Sequence, residues 1–221
     1  MISETPSRMM IERPSLFSIY FIIPISLQNP INRFATQIYS ADGKILGTWN
    51  YNRENRVSVD YDDLPQSLVQ ALVATEDVRF YEHSGIDFIA LGRAIVKRGV
   101  LGQKSAGGGS TITQQLIKNS VFPNFIHEDG LLDSLKRKIQ EQYLALELEK
   151  QVDNKDWILE NYLNSINLGA NTLGVQAASY RYFNKDVSKL TLSESTVIAA
   201  ITQAPTTLNP IAHPKKNGAR R

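Results

Sequence analysis

Pro65-Gln66-Ser67-Leu68-Val69-Gln70-Ala71-Leu72-Val73-Ala74-Thr75-Glu76-Asp77-Val78-Arg79-Phe80-Tyr81-Glu82-His83 is where this chain changes its period. Leu68, Val69, Leu72 and Val73 recur at helical spacing. Pro65 suits a first helical turn, because the N–H it lacks would be unpaired there anyway. The stretch predicts a helix whose C-terminal end presents Glu76. Residues 76–83 then crowd carboxylates, two basic side chains and two aromatic rings together. Glu76 follows the apolar Leu72-Val73-Ala74, so partial burial is expected. Burial raises a carboxyl's pKa and makes it a better proton acceptor near neutral pH. The plainer alternative is an exposed helix-end glutamate paired with Arg79 at i+3. Phe80, Tyr81 and His83 weigh towards a pocket.

Upstream, 35–51 reads as a β-hairpin. Thr36, Ile38, Ile45, Leu46 and Trp49 are strand formers, and Asp42-Gly43 is a turn pair. Before it lies an apolar run, Leu16 to Leu27, preceded by Arg8 and Arg13. Twelve residues are too few to cross ~30 Å of hydrocarbon as a helix, and Pro24 interrupts them. Residues 1–34 therefore read as a leader or a shortened membrane anchor, and 35–221 as one domain.

Downstream, helices dominate. Asp87 is expected to cap a helix with the apolar stripe Phe88, Leu91, Ala94 and Ile95. A glycine-rich stretch, 99–109, separates it from a helix opening at Thr111, where Thr111 and Gln114 fit a capping box. A longer helix covers 135–150. Asp153 is expected to cap the next, whose stripe runs from Ile158 to Ile166 and which Gly169 ends. Another covers 174–183. Thr191-Leu192-Ser193-Glu194 opens a last helix that stops before Pro205. No strand–helix alternation occurs, so the fold class is mainly α with a small β element in front.

The bulk numbers set limits. The chain has 221 residues, 42% hydrophobic and 21% charged, enough for one sizeable core. A formal charge of +2 argues against nucleic acid as a partner. There is no cysteine, and His83, His127 and His213 show no metal-ligand spacing, which argues against a protein-built zinc site. A metal carried in by a phosphate ligand needs only one or two carboxylates and stays open.

Two further segments suit phosphate chemistry. Gly107-Gly108-Gly109 leads into Ser110, Thr111, Gln114, Gln115 and Lys118. Backbone N–H groups at a helix N-terminus bind anions, and glycine lets the chain come close. The spacing is not that of a Walker A loop, and a plain linker is the simpler reading. Arg137, Lys138 and Glu141 share one helical face. Two cations beside one acid can hold a diphosphate while the acid orients it or a metal. A surface salt-bridge ladder is the simpler reading there. On the following helix Tyr162 reads as core, and Asn164 as core or ligand.

Taken in order, four motifs resemble the peptidoglycan glycosyltransferase module of class A penicillin-binding proteins and monofunctional transglycosylases, glycosyltransferase family 51. They are Glu76 to His83, Gly108 to Gln115, Arg137-Lys138-Ile139-Gln140-Glu141, and Ile158 to Asn164. The resemblance covers about 35–221. It implies a lysozyme-like, two-lobed helical fold with a hydrophobic lobe that dips into the membrane, at the extracytoplasmic face of a bacterial cell. It implies lipid II and a growing lipid-linked glycan strand as substrates, with other cell-wall synthesis proteins as partners. By motif, Glu76 becomes the general base and Glu141 the second acid at the diphosphate, with a divalent cation, Mg or Mn, there. Asp77, Phe80, His83, Gly109, Ser110, Thr111, Gln114, Gln115, Lys118, Arg137, Lys138 and Asn164 become substrate-site residues, with Asp77 and His83 bracing the first motif.

Three departures stand out. The resemblance implies an arginine shortly before Arg137, yet 125–135 holds neither Arg nor Lys, leaving Lys136 or His127 as substitutes. The chain stops at Arg220-Arg221, within what resembles the family's last motif, so it reads as a truncated module. No Ser-x-x-Lys occurs, so no transpeptidase domain is expected within it. A lysozyme-like hydrolase also uses two carboxylates, but it has little use for Lys118 with Arg137 and Lys138. A catalytically silent scaffold that binds lipid or a cell-wall partner is the rival from outside enzymes.

Overall fold

Ten- and eleven-residue helices are marginal alone in water, so packing must hold most of this molecule's elements in place. The structure, a computed structural model, describes residues 36–39, 45–49, 57–97, 102, 108–122, 130–152 and 154–221. The leader, the turn at Asp42-Gly43, and most of the glycine-rich stretch lie outside the described residues. Strands β1 (Thr36–Tyr39) and β2 (Ile45–Trp49) pair antiparallel. Among the described residues eight α-helices follow: α1 (Gln66–Glu76), α2 (Phe88–Ile95), α3 (Ile112–Val121), α4 (Leu131–Gln151), α5 (Lys155–Ser165), α6 (Val175–Phe183), α7 (Leu192–Ile201) and α8 (Pro214–Arg220). The described residues are thus mainly α.

The core joins α1, α3, α5 and α7. Leu68 and Leu72, Ile112 and Leu116, Leu159 and Leu163, and Ile198 are all at most 1% exposed. Each contributes on the order of 1.5–3 kcal/mol by leaving water. α7 packs along α1. Their register is pinned by a hydrogen bond between the Ser67 and Ser195 hydroxyls, 2.9 Å apart, near the start of both helices. A second bond, between Thr202 and Glu76, joins their far ends. The two helices therefore run parallel.

Gly85 and Gly174 are among the glycines that close approaches require. Gly85 has φ +92°, and a Cβ there would lie 2.6 Å from the Ala145 carbonyl oxygen of α4. Gly174 has φ +82°, and its Cβ would lie 2.8 Å from the Asn164 carbonyl oxygen of α5. A β-carbon at Gly85 would push the turn before α2 away from α4, and one at Gly174 would push the start of α6 away from α5.

Several local readings hold. Asp87 accepts from the Ala90 N–H as the cap of α2, and Thr111/Gln114 and Thr191/Glu194 form full capping boxes. Others need correction. Asn154, not Asp153, caps α5, with its side chain accepting from the Trp157 N–H. α5 ends at Ser165 rather than at Gly169, because the chain turns extended at Ile166. α4 begins four residues earlier than the spacing suggested. The helix opened by Thr191 is not the last: α8 follows, with Pro214 in its first turn. The apolar stripe of α2 does not face the core. Phe88 is 71% exposed, and Ile89 and Ile95 are exposed as well.

Candidate active site

Glu76 closes α1 and is half-buried. Its Oε2 accepts from Gln115 Nε2 of α3 at 3.0 Å, and its Oε1 from Thr202 Oγ1, just past α7, at 2.6 Å. Gln115 Oε1 in turn accepts from the Tyr162 hydroxyl of α5 at 2.8 Å. The order is dictated by chemistry: an ionised carboxylate only accepts, so the Gln115 amide must turn its NH₂ towards Glu76 and its oxygen towards Tyr162. Burial first, and then the nearby Glu76 charge, holds the Tyr162 phenol well above its ordinary pKa, so it stays a donor. Three helices and the segment after a fourth thus aim one carboxylate. Arg79 does not pair with it; Arg79 grips Asp87 instead, at 2.6 and 2.8 Å. Burial alone would raise the Asp87 carboxyl, but Arg79 and the Ala90 N–H outweigh it and hold it below the ordinary value.

The next residue ties two motifs together. Asp77 Oδ2 accepts from the Ile112 N–H at the start of α3, and both its oxygens lie 3.0 Å from His83 Nε2. Thr111 Oγ1 donates to the Gly85 carbonyl at 2.7 Å. The turn that follows Glu76 is thereby fastened to the helix that follows the glycines. Asp77 and His83 thus tie this turn together.

Beside Glu76 lies a cavity of about 210 Å³. Glu76, Val78, Arg93, Lys97, Gly109 and Ser110 are among its lining residues. Gly109 permits the close approach of this loop to α2, where a Cβ would come 3.1 Å from Ala94 Cβ. Arg93 and Lys97, polar positions beside the apolar stripe of α2, are turned onto the cavity by the tertiary fold. Lys138 Nζ donates to Ser110 Oγ at 3.3 Å and to Glu141 Oε2 at 2.5 Å. Arg137 bonds the other oxygen of Glu141. Glu141 is only 1% exposed and does not line the cavity. It reaches the site through the cations it holds. Lys118 is half-buried within the field of both acids: burial, then Lys138, lowers its ammonium, against the pull of Glu141 and Glu76.

Other expected site residues are placed away from the cavity. Phe80 is fully buried, with Lys155 Nζ 4.4 Å from its ring centre, so it is core rather than a substrate contact. Gln114 is buried and closes its own helix cap. Asn164 is buried, and its amide exchanges two bonds with the Val59 backbone at 2.8 and 3.0 Å, clamping the segment before α1. It does not line the cleft. Thr111 is also buried as a cap, although it borders the cavity. His127 lies outside the described residues.

Sequence reading missed Thr202, which follows Glu76 by 126 positions with no motif around it. It also left Lys155 without a role. Lys155 donates to Glu149 Oε2 and to the His83 carbonyl, both at 2.7 Å, and Glu149 accepts from Thr113 Oγ1. That cluster supports the first motif from behind. Among the described residues, no three His, Cys, Asp or Glu side chains gather as a metal site.

A mainly helical domain that aims one acid into a cleft and holds cations with another is the class defined so far. This chain belongs to the transglycosylase family, whose model, described as Transglycosylase, matches residues 42–221. It is similar to penicillin-binding protein 1F of Bacillus subtilis, 47% identical over 168 residues, covering 76% of this chain and 22% of that protein. It is 42% identical to penicillin-binding protein 1A of Escherichia coli over 208 residues, covering 94% and 23%. It is 41% identical to penicillin-binding protein 1A of Haemophilus influenzae over 203 residues, covering 92% and 22%. The chain spans about a fifth of the length of these curated relatives. A crystal structure of the Haemophilus influenzae protein superposes on 85% of this chain and 17% of its own at 27% identity, with a TM-score of 0.42, too loose a likeness to bear on the fold.

Proposed function

We propose that this chain is a peptidoglycan glycosyltransferase module with a lysozyme-like, two-lobed arrangement, polymerising lipid II at the extracytoplasmic face of the bacterial membrane. The reading rests chiefly on Glu76: its carboxylate borders the cavity and is aimed by Gln115 and Thr202, and Lys118 lies within its field.

Glu76 takes the proton of the sugar hydroxyl on incoming lipid II. That oxygen bonds to the anomeric carbon of the growing strand from the face opposite the lipid, inverting it. The carbon–oxygen bond to the diphosphate breaks, and its electron pair leaves with undecaprenyl diphosphate. The leaving group already carries its charge, so cations serve it better than an acid would. Lys118, Arg137 and Lys138 fill that role, and Ser110 with the Gly109 backbone adds neutral donors. A lysozyme-like hydrolase would instead need an acid for its sugar leaving group.

Glu141 is poorly suited to a metal, because both its oxygens already accept from cations. A divalent ion would have to arrive with the diphosphate, and no step is routed through one. Membrane contact falls to α2 and the start of α4, where Phe88, Ile89, Ile95, Leu132 and Leu135 are exposed. No described helix is long and apolar enough to cross a membrane.

The test is incubation with labelled lipid II, wild type beside Glu76→Gln, with products sized on a gel. General bases contribute about 10²–10⁴-fold. A loss of that order with lipid II binding retained is the expected result; a folded Glu76→Gln protein that polymerises at the wild-type rate would overturn the assignment. Release of sugar ends from finished peptidoglycan, without growth from lipid II, would favour the hydrolase.

A further inference from the structure

Thr202 has one hydroxyl proton and two acceptors within reach. Its Oγ1 lies 2.6 Å from Glu76 Oε1 and 2.8 Å from the Ala199 carbonyl oxygen. A hydroxyl donates once but accepts through its lone pairs. Ala199 stands in the last turn of α7, where backbone carbonyls lack an intrahelical partner. The same proton is therefore wanted by a helix end and by a carboxylate.

We propose that Thr202 is a positioning residue for Glu76: its hydroxyl donates to the ionised acid, and rotates to donate to Ala199 while accepting from the acid once Glu76 holds a proton. This rests on Glu76 being the base. Gln115 cannot do the same. Its NH₂ towards Glu76 only donates, and its oxygen is held by Tyr162. Thr202 is thus the one partner among the two bonded to Glu76 that can serve both protonation states without the side chain moving.

The geometry that places it is specific. α7 runs parallel to α1, pinned by the Ser67–Ser195 bond at one end. Residue 202 therefore arrives level with residue 76. Thr202 is half-buried, so its bond to Glu76 is partly shielded from competing water. Charged and titratable groups facing Glu76 come from the other packed elements: Lys118 of α3, Tyr162 of α5, and Arg93 and Lys97 of the α2 segment across the cavity. Asp77 is turned away to His83, and Arg220 and Arg221 border a separate cavity behind Ala74 and Thr75. Thr202 donates directly to Glu76 Oε1.

The experiment compares wild type, Thr202→Val and Thr202→Ser as full chains polymerising lipid II across a pH series, with Glu76→Gln beside them. Thr202→Val keeps the shape and removes the hydroxyl. A hydrogen bond to the charged form favours that form, so its loss moves the acidic limb of the kcat profile to higher pH. At neutral pH kcat falls roughly tenfold, the size of a lost hydrogen bond to a charged group, while KM holds. Thr202→Ser restores both. The pH course of the Glu76 carboxyl signal in carbon-labelled protein gives a readout without turnover, and it moves the same way. A folded Thr202→Val whose profile and carboxyl signal match wild type would overturn the proposal, as would a Thr202→Ser that behaves like Thr202→Val. Full activity in Glu76→Gln would instead remove the base assignment, leaving the carboxyl signal to decide the hydrogen bond on its own.

Discussion

The end of α1 and the middle of α4 each hold a carboxylate, and they are treated in opposite ways. Glu76 accepts from two neutral side chains, Gln115 and Thr202, and it borders the cavity. Glu141 is buried, with a cation on each oxygen. A carboxylate held by neutral donors can still receive a proton from a substrate. One clamped between Arg137 and Lys138 is committed to placing those cations. On the proposed function, two acids that look equivalent along the chain divide into a reacting group and a scaffold for positive charge.

Substitutions can break that division. Glu76→Gln, the largest effect on rate, should leave thermal stability nearly unchanged, because its amide oxygen can accept from Gln115 while its NH₂ donates to Thr202 Oγ1. Glu141→Gln should do the reverse. It leaves two cations without their buried counter-charge, a change that costs about 3 kcal/mol when such a pair is broken, read as a lowered denaturation midpoint. Its effect on polymerisation should appear as weakened lipid II binding. If Glu141→Gln kept full stability while losing only kcat, the two acids would have to exchange roles.

A smaller effect sharpens the Glu76 side. Tyr162→Phe removes the donor that orients Gln115. A single neutral hydrogen bond is worth about 1 kcal/mol, so a several-fold drop in kcat is expected, with no change in lipid II affinity. Equal loss in affinity would mean that Tyr162 acts through packing alone.

The smallest effect probes the ground between the acids. Burial lowers the Lys118 ammonium from its usual 10.5. The unfolded chain then binds more protons than the folded one as pH approaches that value, so this group's destabilising contribution fades with rising alkalinity. Wild type should gain stability relative to Lys118→Met as pH rises from neutral towards 10.5. Glu141→Gln should steepen this gain more than Glu76→Gln does, since Glu141 pulls harder on Lys118. Denaturation midpoints across pH would check it, and equal slopes would place Lys118 beside neither acid in particular.

Local chemistry was legible wherever a few adjacent residues decide the outcome. The caps at Asp87, Thr111 and Thr191 follow from a side chain reaching backbone N–H groups within one turn. The Arg137-Lys138-Glu141 cluster follows from helical spacing. The same logic misled at Phe80 and Asn164, because a residue within a motif can face the core as easily as the cleft. It also misled at α2, where an apolar stripe implied a buried face that the fold leaves exposed.

What the chain alone determined was a set of helices and the residues able to handle a proton and a diphosphate, since propensity, capping and charge spacing act over a few positions. Only the tertiary structure decided which of those groups meet. Thr202 reaches Glu76 because α7 lies parallel to α1, and Arg93 and Lys97 reach the cavity because Gly109 lets the loop settle against α2. Contacts between distant positions depend on how faces pack, and no local spacing encodes that.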